Sequence, residues 1–331
     1  MPYRLKAGES VPEGTKRIVL EEIDSATAQL AGKGTKRGEA IHEARKSIKK
    51  IRGALRLVQP QLGRTYKSET ARLRDVAQKL SELRDAQAVI EIFDDLVKKY
   101  EGDLQPSALV SIRRGLQENK REAEQAVQIE RVAEQAISML RSTSKRVKSW
   151  PLKKDGFKAI APGLRKRYRR GRRAMAIARA DPTPENYHEW RKRVKDHWYH
   201  VRLLENLWTE VMQAYEESLK KLETWLGNDH NLVVLCGKLH DRPERYGEEK
   251  DVQLIVALAV QYQHELRENA LSLGQRVYQQ KPRKLTRDLA ALWEAWQQQP
   301  RGMKKLQKDQ RNAAKKAPDK SSAATARSSA A

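Results

Sequence analysis

The sequence predicts an all-α protein, arranged as two antiparallel helical bundles about an internal pseudo-twofold axis. Three observations predict it. Apolar residues recur at steps of three and four through most of the 331 residues, which is how one buried face of an α-helix reads in sequence. No alternating run of convincing length marks a strand. The stretch His42–Arg56 also returns 146 positions later, from His188 onward, without a gap over nearly 50 residues. An offset that aligns stripes and breakers together marks a duplicated helical unit. Two copies are too few for a solenoid, which favours paired bundles.

The elements follow in order. Met1 to Gly14 carries Pro2, Gly8, Pro12 and Gly14 and reads as an irregular lead-in. Ile18, Ile23, Ala26 and Leu30 give a first short helix, ended by Gly32-Lys33-Gly34. The helix containing His42 runs to about Gln59, where Pro60 and Gly63 stop it. Leu73, Val76, Ala77, Leu80 and Leu83 are spaced for a third helix. Arg84-Asp85 opens a further apolar run through Val89, Ile90, Phe93, Leu96 and Val97. A long charged helix is expected from Ser107 to about Leu140, and short breakers throughout imply antiparallel neighbours.

Ser142 to Gly156 is the expected boundary between halves. Residues 157–180 then form a helix with nine Lys or Arg and no carboxylate. Thr183-Pro184 is the expected cap and first-turn proline of the His188 helix, which runs to about Trp208. The 146-position offset carries Leu73 onto Leu219, Leu80 onto Leu226 and Arg84-Asp85 onto His230-Asn231. Asp251–Gln279 and Lys284–Gln299 supply the last two helices. The expected division is a lead-in over 1–15, helical halves over 16–156 and 157–300, and a disordered tail over 301–331. That tail carries nine cations against two acids and has no apolar periodicity.

Composition bounds the function. Sixty-seven Lys and Arg against 43 Asp and Glu leave a net charge of +24, a surplus that repels itself in a compact chain unless an anion offsets it. A polyanionic partner is therefore expected. Cys236 is the single cysteine, so no intramolecular disulfide forms and a reducing, cytoplasmic setting fits best. No apolar run approaches the roughly 20 residues of a membrane span, and the N-terminus lacks the apolar core of a signal peptide.

At 100° per residue, His42, Arg45, Lys46, Lys49, Arg52 and Arg56 share one side of their helix. Ile41, Ala44, Ile48, Ile51 and Leu55 share another. The second copy repeats both, with His188, Arg191, Lys192, Lys195 and Arg202 on the basic side and Tyr187, Trp190, Val194 and Val201 on the apolar one. Arg165, Arg169, Arg172 and Arg173 add cations on the 157–180 helix. Donors one turn apart, about 5.4 Å, suit a linear anion: Arg offers a fork for two phosphate oxygens and Lys a movable point charge. Charged stripes are more often solvated faces with acid partners at i, i+4, but Glu43 is the sole carboxylate interleaved in the first stripe. His42 and His188 head the stripes and are either phosphate donors or structural residues. His197 sits centrally on its apolar side, as a core histidine would. Trp190 shares that side, whereas Trp198 occupies the slot that Arg52 fills in the first copy.

Catalytic patterns are scarce. There is no Walker loop, dinucleotide turn, nucleophile elbow or carboxylate cluster for magnesium, and His197 and His200 lack a convincing third metal ligand. No catalytic residue, metal or cofactor is expected.

Two stripes, His42-x-x-Arg45-Lys46-x-x-Lys49-x-x-Arg52 and His188-x-x-Arg191-Lys192-x-x-Lys195, are joined by Gly163-Leu164-Arg165-Lys166-Arg167-Tyr168-Arg169-Arg170-Gly171-Arg172-Arg173. With the step Leu83-Arg84-Asp85, they resemble the CHAD domain, the conserved histidine α-helical domain, over about residues 3–300. The resemblance implies two four-helix bundles related by pseudo-twofold symmetry. It also implies non-catalytic binding of inorganic polyphosphate in a basic channel or groove between the halves, with association to polyphosphate granules and their proteins. The alternative expectation is a sequence-independent nucleic-acid binder, with nucleic acid as a competing partner. Two departures stand out: Trp198 replaces an expected arginine, and His230-Asn231 stands where Arg-Asp is usual.

Overall fold

The computed structural model describes residues 3–32, 37–80, 82–101, 106–126 and 129–298, and every regular element among them is helical. The first helix, α1 (Val11–Ala31), begins earlier than its Pro and Gly residues suggest. Ser10 accepts from the Glu13 amide while Glu13 returns to the Ser10 amide, a reciprocal cap that satisfies two end donors. Pro12 falls in the first turn, where its fixed φ is already helical. The segment before it is anchored: Tyr3 and Leu5 are buried, and the Leu5 amide donates to the Leu203 carbonyl at 2.9 Å.

Helix α2 (Arg37–Leu57) buries Ile41, Ala44, Ile48, Ile51 and Leu55, the whole expected apolar face. A single turn, α3 (Gln59–Leu62), leads into α4 (Arg64–Lys79) and α5 (Glu82–Lys99). Leu80 closes α4, so the break comes before Arg84-Asp85. The side chains of Leu83, Arg84 and Asp85 lie outside the described residues, as do Lys33, Gly34 and the 301–331 tail.

The single helix expected over Ser107–Leu140 is instead two, α6 (Pro106–Ala126) and α7 (Ile129–Val147). Ile112 and Leu116 of α6 belong to one apolar cluster, and Ala133, Ala136 and Leu140 of α7 to another.

The second series is α8 (Phe157–Ala180), α9 (Pro184–Leu203), α10 (Thr209–Asp241), α11 (Glu249–Val277) and α12 (Pro282–Gln298). Shifted by 146, α1 falls inside α8, α2 onto α9 and α6 inside α11. The break between α4 and α5 has no counterpart, because α10 runs unbroken for 33 residues through the equivalent Leu226-Gly227.

Helix α8 packs on α9, α2 and α12, and α2 packs also on α1 and α9. Close approach of α8 to α2 depends on Gly163, where a Cβ would overlap the Leu57 carbonyl. The main core runs through α1, α2, α4, α7, α8, α9, the start of α10, the end of α11 and α12, with Trp190, Tyr168 and Tyr187 among its fully buried side chains. Burying a large apolar side chain contributes about 1.5–3 kcal/mol. A second cluster joins α5 and α6 to the later part of α10, Tyr246 and α11. Both clusters draw on residues from either side of Gly156. Among the described residues, no helix is long and apolar enough to cross a membrane.

Candidate anion-binding site

With Ile48 and Ile51 fixed in the core, α2 must turn Arg45, Lys49 and Arg52 toward its neighbours. The apolar side of α9, held by Tyr187, Trp190 and Val194, does the same for His188, Arg191 and Lys195. Because α2 and α9 pack together, the two stripes meet.

Where they meet, Lys49 is partly buried within reach of Lys195, Arg45 and Arg191. Burial, then the charges of Lys195 and Arg45, push its ammonium down to about 7. The Lys195 ammonium is also lowered, first by burial and then by Arg191 and Arg45, against the opposing pull of Glu223. Glu223, on α10, accepts from Lys195 Nζ at 2.7 Å and from Arg191 Nε at 3.3 Å. Burial raises its carboxyl, but Lys195 and Arg191 outweigh this and hold it below the ordinary value. On the far side the His188 and His230 rings lie 4.2 Å apart. Burial and the neighbouring cations depress both imidazoles, that of His230 to about 4. Among the described residues, the net result is a cationic cluster that holds Glu223 as an internal carboxylate.

Further along α2, Arg52 is lowered to about 10, chiefly by burial and then by Arg56, and its Nε is buried with no hydrogen-bond partner among the described residues. Arg56 is differently engaged. It pairs at 3.1 Å with Asp196 of α9, which also receives Arg193 at 3.2 Å and the buried Arg167 at 3.7 Å. Arg167 Nη2 donates to Gln59 at 2.6 Å and to the Tyr66 hydroxyl at 3.1 Å. Lys166 is lowered by burial, then by Arg170 and Arg167, which extends the positive field along this side of α8.

Other predicted residues are dispersed. Lys46 and Lys192 are exposed and pair within their own helices, with Glu43 and Glu189. Arg202 pairs with Glu216 at 3.1 Å and lies over the Tyr3 and Trp198 rings, so Trp198 serves as a platform for an arginine. Arg165, Arg169 and Arg173 are exposed and Arg172 half-buried, on the side of α8 away from its buried face. None of the four makes an ion pair or side-chain hydrogen bond among the described residues. His42 is partly buried on α2 beside Arg45 in the stripe.

His197 and His200 are fully buried. The Tyr215 hydroxyl donates to the Val277 carbonyl at 3.1 Å, so it accepts from His197 Nε2, 2.8 Å away. That settles His197 as a core residue, with its imidazole pushed down to about 3 by burial. Among the described residues, no group of His, Cys, Asp and Glu is placed to hold a metal ion.

Sequence reasoning missed Glu223, Asp196 and Arg74, the last acting on Arg52 from α4, and named Arg167 only as part of the joining helix. The repeat register carries a signal for three of them: it sets Glu223 against Ala77, Asp196 against Lys50 and Arg167 against Glu21, charges gained or reversed between the copies.

A family model described as CHAD domain matches residues 18–240. Among solved structures, the crystal structure of the CHAD domain from the plant Ricinus communis is similar, with a TM-score of 0.58 and 16% sequence identity. The match covers 84% of this chain and 96% of that one, a likeness of fold. No curated protein matches. The stripes, their joining helix and the family model agree, and the chain belongs to the CHAD domain family.

Proposed function

We propose that the protein binds inorganic polyphosphate without turning it over, along the meeting line of α2 and α9, and that it does so at cytoplasmic polyphosphate granules. The observation that carries this reading is the convergence of Arg45 and Lys49 with Arg191 and Lys195, repeat-related pairs whose lysines are both held below their ordinary charge. Cations crowded together in a folded chain favour an anion that restores their charge. Arg52 and Lys166 continue the field toward the Asp196 group, so a flexible chain of phosphates meets donors along more than one turn. His42 and His188 stand at the head of the path. In this reading the repeat expresses two four-helix units about a pseudo-twofold axis, with the ligand between them.

Arg165, Arg169 and Arg173 support the alternative of sequence-independent nucleic-acid binding. They are exposed at four-residue steps, about 6 Å apart along α8, with no acid partner among the described residues. Competition separates the two. Long-chain polyphosphate is titrated at moderate salt with single- and double-stranded nucleic acid added at equal phosphate concentration. The proposal requires polyphosphate binding that weakens steeply with salt through counterion release and that nucleic acid does not displace. Displacement at parity favours the alternative, and no polyphosphate binding defeats the proposal.

A further inference from the structure

We propose that Glu223 is an internal counter-anion that makes the cationic cluster selective for polyvalent phosphate chains over small anions. The inference rests on the polyphosphate reading and adds a residue that neither stripe contains. Glu223 reaches in from α10, with its side chain 14% exposed, and joins Arg191 and Lys195. It also acts on Lys49 of the opposite copy. The other nearby carboxylate on α9, Glu189, is turned to Lys192 and Arg193.

The two copies differ at this point. In the second, Arg191 donates to the Glu223 carboxylate at 3.3 Å. In the first, Arg45 Nη1 donates at 3.4 Å to the backbone carbonyl of Ala77, the residue in the same register. At this register position one copy thus carries a carboxylate and the other a methyl side chain.

A ligand phosphate entering beside Lys195 must take over the bonds that Glu223 makes. A small anion gains only what it displaces. A phosphate chain can instead lie along Lys49, Arg45 and Arg52 and leave part of the Glu223 bonding to Arg191 and Lys195 in place, so displacement costs the chain less than it costs a short anion seated beside Lys195. This is selection by making the wrong partner compete.

Two variants test the idea with opposite signs. In titrations with tripolyphosphate and with long-chain polyphosphate, Glu223→Gln is expected to bind tripolyphosphate about tenfold more tightly, with a smaller gain for the long chain. Ala77→Glu places a second tethered carboxylate beside Arg45 and is expected to weaken both. Thermal melting with added sodium sulfate reads the counter-anion role without any polyphosphate. Glu223→Gln should melt lower than the parent at low salt and gain more from sulfate. A folded Glu223→Gln that binds tripolyphosphate no better, or gains no more from sulfate than the parent, overturns the proposal. Failure of the parent chain to bind polyphosphate at all strikes the functional reading instead, and the sulfate response still decides on Glu223.

Discussion

Lys49 of α2 and Lys195 of α9 hold the same place in the two copies of the repeat, and the charge of Lys195 helps to hold Lys49 at about 7. Their apolar neighbours, Ile48 and Val194, are fully buried. The helices therefore cannot turn the lysines apart without unpacking the core. Folding brings the two ammonium groups together against their mutual repulsion, a cost that an anion bound between them relieves.

Binding should depend on pH. A bound phosphate favours charged Lys49 and raises its pKa from about 7 toward the ordinary value, so the complex takes up a proton near pH 7 to 8. Affinity for polyphosphate is expected to fall as pH rises from 6 to 9. Calorimetry at pH 7.5 in two buffers of different ionisation enthalpy should show net proton uptake.

Stability and binding should separate at the same residue. Removing the crowded charge with Lys49→Met should stabilise the free protein by about 1 kcal/mol at pH 7 while weakening polyphosphate binding about tenfold. Urea unfolding reads the first and titration the second.

Asp196 is expected to be structural. It sits 5% exposed among Arg56, Arg193 and Arg167, and its removal strands a buried guanidinium. Asp196→Ala should destabilise the protein by about 3–5 kcal/mol, the range for breaking a buried pair from one side. A denaturation midpoint that does not move would show that the arginines find other partners.

Acid should unfold the chain through its core histidines. Burial lowers His197 to about 3 and His200 well below its ordinary value. The unfolded chain therefore binds more protons than the folded one below about pH 6.5. Their contribution to stability is intact above that pH and falls as pH drops toward 3, by up to about 1.4 kcal/mol per unit for each histidine. Urea midpoints between pH 7 and 4.5 should decline accordingly, and less so in a folded His200→Leu variant.

Much of this was legible in sequence because helical periodicity is a local property. The buried face of α2 and the core position of His197 follow from spacing alone. Pro12 and Gly14 misled because a reciprocal Ser10–Glu13 cap turns them into the first turn of α1. Helices α6 and α7 serve different clusters, and that of α6 forms only where α5 and α6 meet α10 and α11, contacts with no trace in the local pattern. For the candidate site, periodicity located the cations but not their partners. Acids that looked absent from the stripes arrive from other helices, as Glu216 does to Arg202, Asp196 to Arg56 and Glu223 to Lys195.

The most direct measurement compares polyphosphate affinity of the parent with two variants of equal charge change. One is Lys49→Gln with Lys195→Gln, and the other is Lys220→Gln with Lys221→Gln on the exposed side of α10. Circular dichroism confirms that each retains its helices. If α2 and α9 hold the ligand between them, the first pair loses at least about tenfold more affinity than the second. Equal losses from both would contradict the account, leaving net charge alone as the source of binding.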